Sequence, residues 1–321
     1  MKKVAITGAA GFIGSNLTIR LLQEGHSVIG IDDLSHGNLD NLKSITSNPN
    51  FTFVKEDILN SSALAEIFDG VDTVYHLAAG KIPRYSDALD TLRTNGLGSD
   101  SVFSAAFPRV KKVIAASTSD VYGKNTKVPF SEDSDLVVGN PDVKRWSYAI
   151  SKMFEEQLLY AYSERYSIPA VGIRFFGAYG INQSRDWLGG PIPVFIEKAK
   201  EQHSIEIHGD GLQTRSFTFI DDHIEALYRL LQHEWTGATH LNLGSSHEIS
   251  ILDLAKKIWS IINPNLEPNL SLIPYSTFGK YEDVMRRIPN CSKARELLNL
   301  PANTEFDEGL TKTILWQLSR S

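Results

Sequence analysis

Residues 7–14 read TGAAGFIG, and few octapeptides restrict a chain so tightly. Before them, Lys3–Thr7 is a short apolar run that predicts a strand. After them, Gly14–Glu24 has helical spacing, with Ile13, Leu17, Leu21 and Leu22 on one face and Gly25 to stop it. A strand, a glycine turn and a helix in that order favour a parallel α/β layer. Each glycine has its own use. Gly8 permits a tight turn, Gly11 lets backbone approach a pyrophosphate, and Gly14 lets the helix lie close to the strand. The helix N-terminus then offers N–H groups and a positive dipole end to phosphate oxygens.

The rest of the chain continues the alternation. Ser27–Ile31, Phe51–Lys55, Thr73–Leu77, Lys112–Ala116 and Ala170–Phe175 read as buried strands. Ser61–Phe68, Leu89–Ala106 and Ser147–Tyr166 read as helices between them, the last with an apolar stripe of Ile150, Phe154, Leu158 and Tyr162. Such a pattern predicts a Rossmann-type, doubly wound parallel sheet with helices on both faces. The rhythm loosens after Gly177, where Gly180, Gly189, Gly190, Pro191 and Pro193 crowd a segment with one helix at Val194–Gln202. Phe217–Leu231 and Thr239–Leu243 read as strand and helix returning to the sheet. Helices follow at Ile251–Ile262 and near Leu310–Leu318. The expected division is a nucleotide-binding domain of 1–176 plus about 217–245, and a smaller substrate lobe of about 177–216 plus 246–321.

Composition narrows the partners. The formal net charge is −6 over 321 residues, and no basic run exceeds two, as in Lys111-Lys112 or Arg286-Arg287. A nucleic-acid partner is therefore not expected, and an anionic ligand must meet a few placed cations. The single cysteine, Cys291, allows no intrachain disulfide, which fits a cytoplasmic protein. No apolar stretch is long enough for a membrane helix. The N-terminal Lys2-Lys3 and the apolar residues after them read as a first strand and not as a signal peptide, because the segment runs into Asn16 and Arg20 with helical spacing. The histidines show no metal-ligand spacing, so no metal is expected.

The second strand ends in Asp32 and Asp33. An acid there accepts from both adenosine ribose hydroxyls and repels a 2′-phosphate, and no arginine lies within residues 33–42. NAD is thus expected over NADP. Further along, Tyr148 and Lys152 stand four apart and share one helix face. A lysine ammonium beside the phenol, together with a positive nicotinamide ring, favours the phenolate and makes Tyr148 a base for an alcohol proton.

The Gly8-x-x-Gly11-x-x-Gly14 spacing resembles the extended short-chain dehydrogenase/reductase family, and the likeness runs along nearly the whole chain. Glu56-Asp57-Ile58, His76-Leu77-Ala78-Ala79 and Asn95 resemble its cofactor-contacting segments. Ser117-Thr118-Ser119-Asp120-Val121-Tyr122-Gly123 resembles its S-[ST]-x-x-V-Y-G strand end. The resemblance implies a cofactor set of Gly8, Gly11, Phe12, Ile13, Gly14, Asp32, Asp33, Ser35, Asp57, Ile58, Leu77, Ala78, Ala79, Asn95, Tyr148 and Lys152. It implies a catalytic group of Thr118, Tyr148 and Lys152 with Asp120 beside it. The implied chemistry is oxidation of a nucleotide-sugar C4 hydroxyl by NAD. His208–Phe217 resembles the family's GDGxQxRDF-like stretch, whose arginine, here Arg215, would hold a diphosphate. Arg286 or Arg287 would be a second contact. The substrate set is Lys81, Thr118, Ser119, Gly177, Arg185, Ile192, Arg215 and Arg286, for a UDP-linked hexose, hexosamine or uronate.

A C4 ketone can be reduced on its other face, can lose water, can lose a C5 carboxylate as carbon dioxide, or can isomerise. Epimerisation is the first expectation, since it needs no group beyond Thr118, Tyr148 and Lys152. The segments Lys81–Asn95 and Lys144–Tyr148 resemble uronate decarboxylases and lean the other way. Related dehydratases and decarboxylases place a Glu where this chain has the shorter Asp120. Gly177 stands where the family has an asparagine, which implies extra room or a missing contact. A homodimer built on helices Leu89–Ala106 and Ser147–Tyr166 is a further implication. A non-catalytic NAD-sensing protein is the distant alternative.

Overall fold

The computed structural model describes residues 1–81, 87–186 and 189–320. The first half runs β1 (Lys3–Thr7), α1 (Phe12–Gln23), β2 (Ser27–Asp32), β3 (Phe51–Lys55), α2 (Ser61–Ile67), β4 (Thr73–His76), α3 (Ala88–Ala106), β5 (Lys112–Thr118), α4 (Trp146–Tyr166) and β6 (Ala170–Phe175). Then follow β7 (Ala178–Tyr179), α5 (Pro191–Lys200), β8 (Ile205–His208), β9 (Thr214–Ser216), β10 (Thr218–Phe219), α6 (Ile220–Gln232), β11 (Ala238–Leu243), β12 (Glu248–Ser250), α7 (Ile251–Ile262), β13 (Leu270–Ile273), β14 (Arg286–Arg287), α8 (Ser292–Leu298) and α9 (Phe306–Leu318).

Seven strands form one sheet in the order β3-β2-β1-β4-β5-β6-β11, every pairing parallel. Val4, Ala5, Ile6, Val74, Tyr75, Val113 and Ile114 are fully buried, as strands covered on both faces require. Strand order reverses between β1 and β4. A parallel sheet opens a crevice at such a switch point, beyond the carboxyl ends of its strands. The Rossmann-type α/β fold is therefore as expected.

After β6 the chain builds smaller pieces: the pair β7–β10, the pair β8–β13, and a three-stranded sheet β12-β9-β14. Phe217–Leu231 resolves into the two-residue strand β10 and helix α6, and β11 alone brings the chain back to the large sheet. Arg286 and Arg287 pair with Thr214 and Arg215, which carries a C-terminal segment beside the mouth of the sheet.

Helix α4 divides its apolar stripe: Leu158 and Tyr162 pack on the core, while Ile150 and Phe154 are 38% and 51% exposed. The buried face carries Ala149, Lys152, Glu155, Glu156 and Leu159. The reason is charge. Glu156 grips Arg174 of β6 with two bonds of 2.9 Å and accepts from Ser117 of β5 at 2.6 Å, so part of the inward face of the helix is given to buried ion pairs. Tyr162 packs sideways on α3, stacked on Phe107 at 5.5 Å between ring centroids.

Candidate active site

The glycine turn lies at the switch point with the expected geometry. Gly8 has φ +72°, and a Cβ there would fall 2.8 Å from the Ala78 nitrogen. A Cβ on Gly14 would fall 2.1 Å from the Gly8 carbonyl oxygen, so helix and turn touch. At Gly11 the nearest atom to an added Cβ is that same oxygen, at 3.2 Å. Gly11 caps α1 without a side-chain acceptor, which leaves first-turn N–H groups for an anion.

Beyond the turn is a cavity of about 870 Å³ lined by Gly8, Gly11, Phe12, Asp32, Asp33, Ser35, Asp57, Ile58 and Leu77–Lys81. Asp32 is 8% exposed and accepts from the Ala10 and Leu34 amides, each at 2.9 Å. Burial pushes its carboxyl above the usual range. Its lone pairs are not exhausted by two bonds, so ribose hydroxyls can still be accepted. Gly37 closes over it: a Cβ there would lie 2.5 Å from Asp32 Oδ1. Asp33 accepts from the Ser35 amide and hydroxyl. Lys43, just past residues 33–42, also lines this end. Asp32, Asp33 and Asp40 outnumber it there. A backbone cradle at one end and a buried acid at the other fit an adenine dinucleotide.

Two expected cofactor residues do other work. Ile13 packs on the core and does not line the cavity. Asn95 is 1% exposed and pins the Gly80 peptide, accepting from its N–H at 2.7 Å and donating to its carbonyl at 2.9 Å. Its side chain shapes the cavity wall from behind.

The next strand end carries the chemistry. Thr118, the last residue of β5, lies near enough to the Tyr148 phenol of α4 to favour its ionised form. Lys152 is 1% exposed and donates to the Ala116 carbonyl at 2.7 Å and to Glu155 at 2.6 Å. The expectation that Lys152 favours the phenolate meets a correction. Burial, then the carboxylates of Asp120 and Glu155, push the Tyr148 phenol well above its ordinary value, against Thr118 and Arg287. Tyr122 of the same motif is a core residue, stacked on Phe130 and bonded to Asn242.

Asp120 anchors an alternating chain of charges. It accepts from Arg145 at 3.2 Å and from Arg287. Arg145 also donates to Asp283 at 2.9 Å, and Asp283 accepts from Arg215 at 2.9 Å and from the Tyr275 hydroxyl. Burial opposes ionisation of Asp120, but Arg287, Arg145 and Arg215 outweigh it and hold the carboxyl below its usual range. The same balance holds Asp283 well below that range. Arg215, crowded by burial and by Arg287, is lowered to about 10. Lys81 lies within electrostatic reach of Asp120 and Arg287. Along this chain three arginines thus face two carboxylates, leaving positive charge over for an anionic ligand.

Several substrate expectations change. Arg286 is 58% exposed and paired outward with Glu248, whereas Arg287 points inward at Asp120. Adjacent residues on a strand face opposite sides, so only one of the pair can turn inward. Arg185 sits near Glu197 and donates to the Arg320 carbonyl, on the cofactor cavity and apart from the arginine chain. Ile192 is 1% exposed inside the core. Gly177 leaves no extra room, since a Cβ there would meet the Ser216 carbonyl at 2.5 Å and the Phe217 ring at 3.1 Å. Ser119 is buried behind Thr118. Ile82–Tyr85, part of the decarboxylase-like segment, lie outside the described residues. Sequence reading did not assign Arg145, Asp283 or Glu155 to the site. The pair of acids close to the pair of arginines in Tyr281–Arg287 was the available signal for Asp283.

A sequence profile of the NAD-dependent epimerase/dehydratase family matches residues 4–244. The chain belongs to that family. Its cofactor is NAD, and its fold is that of the family's enzymes. The chain is 34% identical to the UDP-N-acetyl-alpha-D-glucosaminuronate decarboxylase of Bacillus cytotoxicus, covering 98% of this chain and 97% of that protein. It is 32% identical to UDP-glucuronic acid decarboxylase 2 of Arabidopsis thaliana, over 96% of this chain and 66% of the other. Among solved structures, the UDP-glucuronic acid 4-epimerase of Bacillus cereus superposes with a TM-score of 0.88 at 29% identity, over 99% and 100% of the two chains. The UDP-glucose 4-epimerase of Thermotoga maritima gives 0.88 at 27%, over 99% of each. No helix among the described residues is long and apolar enough to cross a membrane.

Proposed function

We propose that this enzyme oxidises C4 of a UDP-linked uronate and then removes the C5 carboxylate as carbon dioxide. The observation that carries this reading is Asp120 held between Arg145 and Arg287, two residues past Thr118 and within electrostatic reach of Tyr148. An epimerase acting on a neutral hexose needs no cations at that position. A uronate brings a carboxylate that must be gripped, and inward arginines suit one. The decarboxylase relatives support the same choice over the epimerisation expected first.

When bound, NAD supplies the hydride acceptor at C4 and a positive ring charge that favours the Tyr148 phenolate. Tyr148 takes the C4 hydroxyl proton, and Thr118 hydrogen-bonds the same oxygen. The ketone at C4 is then β to the carboxylate. The C5–C6 bond breaks, carbon dioxide leaves, and the electron pair moves to the C4 oxygen as an enolate. The Tyr148 and Thr118 hydroxyls donate to that oxygen where the charge develops. C5 takes a proton from solvent. Asp120 is held ionised and is not the proton donor; it sets the spacing of the two arginines and yields one of them to the substrate. Arg215, with Asp283 as its exchangeable partner, faces the diphosphate.

Exposed Leu89, Leu92 and Leu97 on α3 and Ile150 and Phe154 on α4 support a homodimer through these helices. The test of the reaction is a product analysis with UDP-, GDP- and dTDP-linked hexoses and uronates. Loss of carbon dioxide from a UDP-uronate alone is expected. A product of unchanged mass with inverted C4 would replace this reading with epimerisation.

A further inference from the structure

Three places after Lys152, helix α4 buries a second charge. Glu155 is 2% exposed, and its Oε2 accepts from the Lys152 Nζ at 2.6 Å. The ammonium also donates to the Ala116 carbonyl of β5 at 2.7 Å. The second Glu155 oxygen is buried on the α3 side, with the Ser99 hydroxyl as its neighbour. Burial raises the Glu155 carboxyl above its usual range, so a carboxylate kept here is costly and calls for a use. Holding α4 to the sheet is not that use, since Glu156 already does so through Arg174 and Ser117.

Charged and titratable groups meet the pair from each side. Tyr148 and Glu156 lie on α4. His76 lies on β4, bonded to Thr7 and Ser99, and burial, then Lys152, holds it well below the usual histidine range. Asp120 follows β5, with Arg287 on it. The α3 side presents Asn95 and Ser99, which are polar and uncharged. Arg174 on β6 is committed to Glu156. Glu155 is the carboxylate in direct contact with the lysine.

We propose that Glu155 is a positioning residue for the Tyr148–Lys152 pair: it fixes the Lys152 ammonium against β5 and balances its charge. Beside an uncompensated lysine Tyr148 would give up its proton at lower pH. The inference rests on the reading of Tyr148 and Lys152 as the reacting pair, and not on which second step follows. A phenol kept protonated remains a donor to the C4 oxygen once the ketone has formed, which is when an enolate needs one.

The test is a direct titration of NAD-loaded protein carrying ¹³C at tyrosine Cζ. The resonance missing from Tyr148→Phe belongs to Tyr148, and it is followed from about pH 6 to about pH 11. In Glu155→Gln it turns at a pH lower by about one unit than in the wild type. NAD affinity stays within about threefold. Glu155→Leu, which leaves no polar atom to desolvate, gives the same shift and serves if the glutamine variant does not fold. Glu155→Asp, which keeps the charge, moves the midpoint back toward the wild type. Identical titration with and without the Glu155 carboxylate overturns the proposal. The underlying reading fails separately, if Tyr148→Phe retains full turnover.

Discussion

The two sides of the cavity are built on opposite principles. The cofactor side is mostly backbone. Gly8 and Gly14 let strand, turn and helix touch, and one buried acid, Asp32, closes the far end. The substrate side is almost wholly side-chain charge. Arg215, Asp283, Arg145, Asp120 and Arg287 alternate in sign across segments far apart in the chain. A backbone cradle accepts one kind of ligand part and tolerates little change. A chain of ion pairs can exchange partners, and it is the part through which one fold can run several second steps.

The comparison breaks most visibly at the residue where the two sides meet. Tyr148→Phe removes the proton-transfer group but leaves the cradle, so turnover falls by about 10³-fold while calorimetry finds NAD binding within about threefold. Arg287→Ala reaches only the substrate side. Truncating one partner of a buried, hydrogen-bonded charge pair lowers kcat/KM for a UDP-uronate by about 10²-fold. Arg286→Ala, one residue away but facing out, changes it by less than about threefold. Equal effects of the two would mean that the substrate side is not ordered as described. Asp32→Asn touches only the cofactor side and weakens NAD binding by about tenfold, as loss of a charged acceptor for two hydroxyls does. Binding unchanged would remove Asp32 from the cofactor site.

Acid separates the sides in the opposite sense. Asp283 is depressed when folded, so its contribution is present above its unfolded value near ~3.9 and is lost as pH falls below it. Asp32 is raised when folded, so its ionised form costs stability, and protonation relieves that cost. Hydrogen exchange at about pH 3 against about pH 5 should therefore lose protection first in 281–287, with 8–14 and 32–37 holding. Loss in the reverse order contradicts the contrast.

The same contrast explains what the sequence disclosed. Gly8, Gly11, Gly14 and Asp32 are legible because their roles depend on neighbours within one strand–turn–helix unit. Thr118, Tyr148 and Lys152 are legible because each lies in a local pattern of spacing. Arg287 against Arg286 was left open, since only the register of β14 on β9 decides which turns inward. Arg145 stood in a segment noted only for its likeness to decarboxylases, and neither its role nor that of Asp283 was legible, because both lie in contacts across more than a hundred residues. Arg185 and Ile192 were placed on the substrate by likeness, and packing put them elsewhere. The stripe on α4 is split between core and surface for a physical reason. A helix whose inner face carries buried ion pairs can leave its apolar residues outside, where a second copy of the chain could cover them.

The central claim is that the arginines around Asp120 grip a carboxylate that the C4 ketone then releases. The direct measurement is ¹³C NMR of UDP-glucuronate and UDP-N-acetylglucosaminuronate labelled at C6, incubated with the NAD-loaded enzyme. The account predicts labelled carbon dioxide and bicarbonate from one of these sugars, none with Tyr148→Phe, and a strongly reduced rate with Arg287→Ala. Retention of the label in a sugar whose C4 has inverted would contradict it.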